Sequence, residues 1–74
     1  MENLPTNLHA ARTQRDLSQE ALADLAGIQQ GEVSRIEAGT RDPRVSTLLR
    51  LAAALEVPPG RLLEPGAFPV GPSS

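Results

Sequence analysis

Apolar residues recur along this chain at the three- and four-residue spacing that places them on one face of an α-helix. The clearest run is Leu48, Leu51, Ala52 and Leu55. Shorter runs are separated from it by glycine, proline and polar residues, which end helices. The pattern predicts an all-α, compact five-helix fold, with helices at about residues 4–15, 19–26 and 30–37, a fourth built on the clearest run, and a short fifth beginning at residue 59.

Capping residues and prolines set the expected ends of the outer helices. Asn3 is a candidate N-cap for the first helix, whose first turn tolerates Pro5. Capping preference begins the fourth helix at Ser46. The two prolines after Val57 end that helix, and the second of them can open the fifth. The residues of the fifth helix expected to face inward are Leu62 and Leu63.

Residues 17–39 predict two short helices joined by a tight turn. Ser18 is a good N-cap for the first of them, and the preceding Leu17 can pack as a hydrophobic staple onto Leu22. Gly27 marks the turn, because glycine enters the left-handed conformation at little cost. The apolar face expected for this helix comprises Leu22, Leu25 and Ala26.

The second of these helices repeats the same start signals. Gln29 occupies the N-cap position, and Ile28 can staple onto Val33. Glu32 stands three residues after Gln29, where the carboxylate of a capping box would reach back to the helix start. The two helices together predict a helix-turn-helix over about residues 18–38.

Composition limits the classes of function that a chain of 74 residues can carry. This length allows one domain, expected over residues 1–64, with a Pro/Gly/Ser-rich tail or linker over residues 65–74. Cysteine is absent, which excludes disulfides, thiolate metal sites and cysteine nucleophiles. Phe68 is the only aromatic residue, so the core must be aliphatic.

Catalytic and membrane signals are missing from the sequence. No apolar run approaches the roughly 18 residues of a membrane span, and the N-terminus lacks a signal-peptide pattern, so a cytoplasmic protein is expected. His9 is the only histidine, and without cysteine or clustered carboxylates it forms no metal site alone. No serine has a histidine partner at a suggestive spacing. We therefore expect no enzyme, no metal and no cofactor.

Several segments together resemble the lambda-repressor-like helix-turn-helix family, of Cro/cI or Xre type. They are LSQEALA, the turn glycine, VSRIEAG, the RDP loop and LLRLAAALEVP. The resemblance covers about residues 8–63. It implies a five-helix DNA-binding domain whose second motif helix enters the major groove, and it begins the fourth helix nearer to Arg44 than to Ser46.

The net charge of −2 does not favour DNA binding, because proteins that neutralise phosphates usually carry an excess of basic residues. The distribution of the charges matters more than their sum. All seven cationic residues are arginines, and three of them lie in or just after the second motif helix, at Arg35, Arg41 and Arg44. The sequence predicts a dipolar molecule with modest non-specific affinity for DNA.

The second motif helix carries the candidate base contacts. A glutamine amide can pair with an adenine edge, and a guanidinium can bind guanine through two hydrogen bonds. By resemblance, Arg35 stands where the family often contacts a base or a phosphate. Gly31 either permits close approach to DNA or removes one contact, and both alternatives stay open. The candidates are Gln29, Gln30, Gly31, Ser34 and Arg35.

Candidate phosphate contacts surround this helix, because helix N-termini and arginine side chains both bind anions. They are Ser18, Gln19, Thr40, Arg41 and Arg44. The alternative for the polar candidates is an exposed side chain without a role in binding. For Arg35 the alternative is an ion pair with a nearby acid.

Arg12 and Glu37 have a different expected role. The family places an arginine of its first helix against the glutamate of its I-E-x-G segment, as a largely buried ion pair. Both positions match here. The resemblance therefore implies that Arg12 and Glu37 form a structural ion pair and do not contact DNA.

These features predict a DNA-binding transcriptional regulator, a repressor or a controller protein, that binds a pseudo-palindromic operator in double-stranded DNA as a homodimer. The expected dimer surface is the fifth helix with residues 65–70, whose apolar side chains are Leu62, Leu63, Phe68 and Val70. Two alternatives stay open. One is a protein-interaction module or antitoxin-type partner-binding protein with weak DNA affinity. The other is the amino-terminal piece of a longer regulator.

Overall fold

The computed structural model describes residues 1–69, and within that range the chain forms four α-helices and one 3₁₀ helix. They are α1 (Leu4–Gln14), α2 (Gln19–Ala26), α3 (Gln30–Glu37), α4 (Val45–Leu55) and the 3₁₀ helix (Pro59–Leu63). α2 packs against α3 and α4, α1 packs against α3, and the 3₁₀ helix packs against α1 and α4. The predicted all-α fold is confirmed. None of the helices in residues 1–69 is both long and apolar enough to span a bilayer.

The last helix differs in kind from the prediction. Residues 59–63 form a 3₁₀ helix, so the count of five α-helices is wrong. Pro58 and Pro59 carry no backbone N–H, and the five residues that follow the first of them suit the short 3₁₀ form. Leu62 is buried as expected, but Leu63 is 36% exposed. Adjacent side chains of a 3₁₀ helix point about 120° apart, so both leucines cannot face the core.

The core is aliphatic, and every helix contributes to it. The largest fully buried side chains are Leu4, Leu8, Leu22, Val33, Ile36, Leu51, Leu55 and Leu62. Leu17 and Ile28, the expected staple residues, are partly buried against this cluster. Because α2 and α3 share one core with α1 and α4, the helix-turn-helix is held on a rigid support.

The buried face of α2 is rotated from its predicted position. Leu22, Ala23 and Ala26 are buried, whereas Leu25 is 62% exposed. The prediction that Leu25 faces the core is wrong. Residues two apart on an α-helix point about 160° apart, so burial of Ala23 places Leu25 on the opposite, exposed side.

Two asparagines, one at the N-cap of α1 and one in its first turns, attach the 3₁₀ helix. Asn3 makes no side-chain cap to α1, contrary to the prediction, and its amide donates instead to the carbonyl of Leu63 at 3.2 Å. Asn7 is buried and donates to the carbonyls of Leu62 and Glu64, at 2.9 and 2.6 Å. These bonds satisfy carbonyls that the short helix leaves without internal partners.

The outer ends of α1 and α4 lie close to their predicted positions. α1 ends at Gln14, one residue before the predicted end. Arg44 is the N-cap of α4, with extended backbone, so the helix begins at Val45. The start near Arg44 that the resemblance implied is therefore closer than the start at Ser46 that capping preference gave.

The segment after the 3₁₀ helix folds back onto the domain as far as the structure describes it. Phe68 packs against the core, and the guanidinium of Arg61 lies 5.4 Å from the centre of its ring. Arg61 also donates to the carbonyl of Ala67 at 3.1 Å, and Gln14 donates to the carbonyl of Pro69 at 3.0 Å. The tail predicted from residue 65 stays a prediction, and its residues 70–74 lie outside the described residues.

Candidate nucleic-acid interface

Capping interactions build the turn between α2 and α3. The Ser18 hydroxyl accepts the N–H of Ala21 at 3.0 Å, so α2 begins where predicted. Gly27 ends the helix in the left-handed conformation, with φ +72°, and the N–H of Ile28 donates back to the carbonyl of Ala23 at 3.0 Å. The predicted helix-turn-helix is therefore present, and its sharp turn depends on Gly27.

α3 presents the predicted base contacts to solvent. Gln29, Gln30, Gly31, Ser34 and Arg35 are all exposed. Gln29 occupies the N-cap position, but among the described residues its side chain makes no hydrogen bond to the helix. Its amide is therefore available to an external partner. The first N–H groups of α3 also lack intrahelical acceptors, as at any helix start.

Glu32 pairs with arginines and does not close a capping box. Its two carboxylate oxygens lie 3.0 and 3.1 Å from Nε of Arg41, and one of them lies 3.7 Å from Nη2 of Arg35. The side chain is only 19% exposed. The capping-box prediction for Glu32 is wrong, because a hydrogen bond between two charged groups is stronger than one to a neutral backbone N–H.

Two of the five base candidates and two of the five phosphate candidates meet in one concavity of about 300 Å³, formed by the start of α3, the loop that follows it and the first turn of α4. It is lined by Ile28, Gln29, Glu32, Arg35, Arg41, Arg44 and Thr47. Three arginines against one carboxylate give this surface a positive charge, although the whole chain carries −2. An anion would be attracted to this face.

The loop between α3 and α4 is fixed from both ends. The N–H and the hydroxyl of Thr40 both donate to the carbonyl of Arg35, at 3.0 and 3.2 Å. Pro43 is buried. The same loop thus brings Arg41 and Arg44 to the α3 face.

Thr47 is a lining residue that sequence reasoning missed. It lies three residues after the N-cap Arg44, a spacing that places both on one side of α4 and could have indicated it. Its hydroxyl is a further polar group at this surface.

Two predicted phosphate contacts have partners elsewhere. The Ser18 hydroxyl caps α2, and the amide of Gln19 donates to Oε1 of Glu37 at 3.2 Å. Neither residue lines the concavity with the arginines. An anion bound at the start of α2 would therefore occupy a separate position on the surface.

Gly31 lies beneath the side chain of Arg35. A Cβ atom at Gly31 would lie 3.4 Å from Nη1 of Arg35, an ordinary van der Waals distance to a flexible side chain, so the guanidinium folds over this position without requiring a glycine there. In this conformation Arg35 covers the backbone of Gly31, and both alternatives for Gly31 at DNA stay open.

Arg12 and Glu37 form an ion pair behind the helix-turn-helix. Nε and Nη2 of Arg12 donate to the two oxygens of Glu37 at 2.7 and 3.0 Å, and Nη1 donates to the carbonyl of Leu17 at 2.7 Å. The side chains are 11% and 6% exposed. Because Gln19 also donates to Glu37, the cluster fixes α1, the start of α2 and the end of α3 relative to one another.

The surroundings of this pair stabilise both charges. Burial opposes ionisation of Glu37, but hydrogen bonds from Arg12, Gln19 and His9 and the charge of Arg12 outweigh it, so the pKa of Glu37 lies below its ordinary value. The hydrogen bond to Glu37 and the attraction between the charges raise the pKa of Arg12 in spite of its burial. Both groups are charged at neutral pH.

With this geometry in place, comparison with known sequences identifies the family. Residues 8–62 match a family model described as helix-turn-helix. The chain belongs to this helix-turn-helix family. The match begins inside α1 and ends in the 3₁₀ helix, so it includes both helices of the motif and the helices that support them.

Relatives of this helix-turn-helix protein are named as regulators. The HTH-type transcriptional repressor RghR of Bacillus subtilis is 39% identical over 59 residues, which are 78% of this chain and 44% of that protein. An uncharacterized HTH-type transcriptional regulator of Sinorhizobium fredii, y4dL, is 36% identical over 56 residues, 76% of this chain and 29% of that protein. The chain spans less than half the length of either relative.

Two solved structures have the same fold as this helix-turn-helix protein. The restriction-modification controller protein C.AhdI from Aeromonas hydrophila gives a TM-score of 0.79 at 37% identity, over 81% of this chain and 91% of that chain. The DNA-binding domain of the P22 c2 repressor gives a TM-score of 0.81 at 26% identity, over 86% and 84% of the two chains. The resemblance to lambda-repressor-like domains is confirmed.

Proposed function

We propose that this helix-turn-helix protein is a sequence-specific transcriptional regulator, a repressor or a controller protein, that places the start of α3 in the major groove of DNA. The observation that carries the proposal is the positive concavity beside that end of α3, where Gln29, Arg35, Arg41 and Arg44 meet. The regulator names of its relatives, the controller protein and the repressor domain support the same assignment.

Base recognition is assigned to the exposed side chains of α3. The amide of Gln30 has the donor and acceptor that an adenine edge requires, and the Gln29 amide is not used as a cap. Arg35 carries the donors for a guanine, and Ser34 lies beside it on the same exposed side of the helix. Gly31 has no side chain, so it would contact a base only through its backbone, with the Arg35 side chain turned toward the DNA.

Phosphate contacts are assigned to the residues around α3. Arg41 and Arg44 would bind one strand beside the concavity, with Thr40 next to them in the loop. Ser18 and Gln19 would bind a phosphate at the start of α2, where the helix dipole favours an anion. Contacts of this kind position the protein on the duplex and carry no sequence information themselves.

The experiment that tests the proposal is selection from a random duplex library, followed by binding of the best sequence across a salt series. Gln30→Ala is expected to relax one position of the site at a cost of about 1–3 kcal/mol, whereas Arg41→Ala should weaken all sequences and lower the salt slope by about one. Gln14→Ala and Arg15→Ala are the matched controls. Both change the same residue types on the α1 side of the molecule, away from the concavity.

A second candidate is a protein-interaction module with this fold, of antitoxin type. The net charge of −2 and the carboxylate of Glu32 among the arginines favour it. If selection enriches no sequence, and binding near physiological salt is no tighter than about 10⁻⁴ M, the weak end of non-specific affinity, this second candidate replaces the first.

The form that binds DNA is proposed to be a homodimer. One copy has one α3, and a two-fold dimer would place two of them in successive major grooves about 34 Å apart, on a pseudo-palindromic operator. The surface proposed for the contact is the 3₁₀ helix with residues 65–70. Of its apolar residues, Val70 lies outside the described residues.

A further inference from the structure

Glu32 is an acid in the middle of the surface that the proposed function directs toward phosphates. It lies in the first turn of α3, and its carboxylate is shared between Arg41, with oxygens 3.0 and 3.1 Å from Nε, and Arg35, at 3.7 Å. Both arginines therefore have an internal anion before any DNA arrives. An uncompensated carboxylate at this position would repel a phosphate, so its presence there calls for a physical reason.

Arg41 uses only one edge of its guanidinium on Glu32. The contacts run through Nε, whereas a guanidinium has five N–H donors, and four of them belong to the terminal nitrogens. Among the described residues these terminal nitrogens of Arg41 have no hydrogen-bond acceptor. Glu32 thus fixes the direction of the Arg41 side chain and leaves its outer donors available for one external anion.

We propose that Glu32 is a specificity-determining residue, which lowers the affinity for arbitrary DNA and orients Arg41 for one phosphate of a correctly docked duplex. This inference rests on the proposed function, because it concerns the same surface. Arg35, the third member of the cluster, is a candidate base contact, so Glu32 connects the phosphate side of the surface to the base-reading side.

Glu32 affects non-specific and specific binding differently. Non-specific binding comes almost entirely from arginines and lysines that act as mobile counter-ions to phosphates. An ion pair with Glu32 withdraws Arg41 from that role and adds a negative charge that every phosphate meets. In a specific complex α3 is seated in the groove, where the fixed outer donors of Arg41 reach one phosphate without losing Glu32. The carboxylate therefore penalises non-specific binding more than specific binding.

The test compares Glu32→Gln with the wild type on two duplexes of equal length, the selected operator and a scrambled sequence, across a salt series. The substitution keeps the size and removes the charge. We expect affinity for the scrambled duplex to rise about five-fold or more, because the charge of Arg41 is released for ionic contact with phosphates in water. The steepness of its salt dependence should rise by up to about 0.9. Affinity for the operator should change less, so the specificity ratio falls.

Glu56→Gln is the matched control, because it makes the same change in net charge at the C-cap of α4, where an exposed carboxylate lies 3.5 Å from Nη1 of Arg15 and outside the concavity. Its affinity for both duplexes is expected to stay close to that of the wild type. Arg41→Ala in both backgrounds completes a double-mutant cycle. If Glu32 acts through Arg41, most of the gain in non-specific affinity disappears when Arg41 is absent.

Three results would overturn the inference. In the first, Glu32→Gln leaves the scrambled-duplex affinity unchanged while the wild type still binds its operator. In the second, the gain persists in full without Arg41. In the third, operator binding is lost and non-specific binding is not, which would make Glu32 a base-reading residue. If the wild type enriches no operator at all, the proposed function fails, and that result is distinct from these three. Melting curves of each variant establish that it is folded.

Discussion

Glu37 is a nearly buried carboxylate whose hydrogen bonds join three helices. Arg12 of α1 and Gln19 of α2 both donate to it, and Nδ1 of His9 lies 3.2 Å from one of its oxygens. The net contribution of such a pair to stability is small, because taking two charges out of water offsets their attraction. Removing one partner is costly, because the other charge is then left buried and unpaired.

Glu37→Ala is therefore expected to lower the free energy of unfolding by about 3–5 kcal/mol. For a domain of this size that corresponds to a fall in the melting temperature of at least about 12 °C. Urea and thermal unfolding measure both quantities. Glu64→Ala, which removes an exposed glutamate, is the control, and the pair Arg12→Met with Glu37→Leu should lose less than Glu37→Ala alone. A melting temperature that does not move contradicts a structural role for the pair.

The lowered pKa of Glu37 also makes stability depend on pH. Because the folded-state pKa lies below the ordinary value of 4.5, the stabilising contribution is complete above 4.5 and is lost as pH falls through the folded-state pKa. Glu37→Gln cannot titrate at this position. The wild type should exceed Glu37→Gln in stability near neutral pH, and the difference should narrow below pH 4.5 in urea unfolding. A difference that stays constant down the acid range contradicts this linkage.

At the scale of elements, the four α-helices could be predicted because their signals are local. Apolar spacing, the hydroxyl of Ser18 at a helix start and Gly27 at a helix end all act within a few residues of sequence. α3 could be predicted from the same kind of local signal, although glutamine, here Gln29, is a weak N-cap. These local signals determine the course of the backbone. The course of the backbone in turn determines which face of α3 is exposed.

Other features depended on contacts between elements, and local signals did not contain them. Glu32 matches a capping box, but its carboxylate pairs with Arg41, nine residues away and beyond the end of α3. Leu25 has helical spacing with the core, yet Ala23 takes the buried position. Thr47 joins the concavity only because the loop brings the first turn of α4 beside the start of α3. The sequence therefore predicted most residues of the candidate site, but not the ion pairs that these residues form with one another.

Gly27→Ala tests the turn between α2 and α3. The left-handed φ of +72° costs a non-glycine residue about 1–2 kcal/mol, and the new Cβ would lie 3.3 Å from Nη1 of Arg50. A loss of stability of that size is expected in thermal unfolding. Gly60→Ala is the matched control, because its Cβ would meet no atom within 4 Å, and it should raise stability by about 0.4–1 kcal/mol. Equal effects at the two sites would show that the turn conformation is not what Gly27 provides.

At the scale of the whole molecule, the separation of charge decides how the protein meets DNA. The arginine-rich concavity lies on the α3 face, whereas the acids outside it make the chain negative overall. A duplex is attracted to one side of the molecule and repelled by the rest, which orients the encounter. One copy measures only 33 × 22 × 22 Å, so a single α3 contacts a short part of any operator.

A homodimer requires an exposed apolar surface that each copy presents to the other. On the proposed dimer surface Leu62 is fully buried and contributes nothing, and Phe68 is partly buried against the core, whereas Leu63 is 36% exposed. Leu63→Glu should therefore convert a dimer into a monomer, measured by sedimentation at micromolar concentration with and without operator DNA. Leu25→Glu, on the exposed side of α2, is the control and should leave the mass unchanged.

A wild-type mass equal to that of the monomer, with and without operator DNA, would contradict the proposed homodimer. Dissociation of the dimer by Leu25→Glu alone would show that the contact lies on α2. Dissociation by Leu63→Glu, with loss of affinity only for the full palindrome, is the result that two copies on successive grooves require.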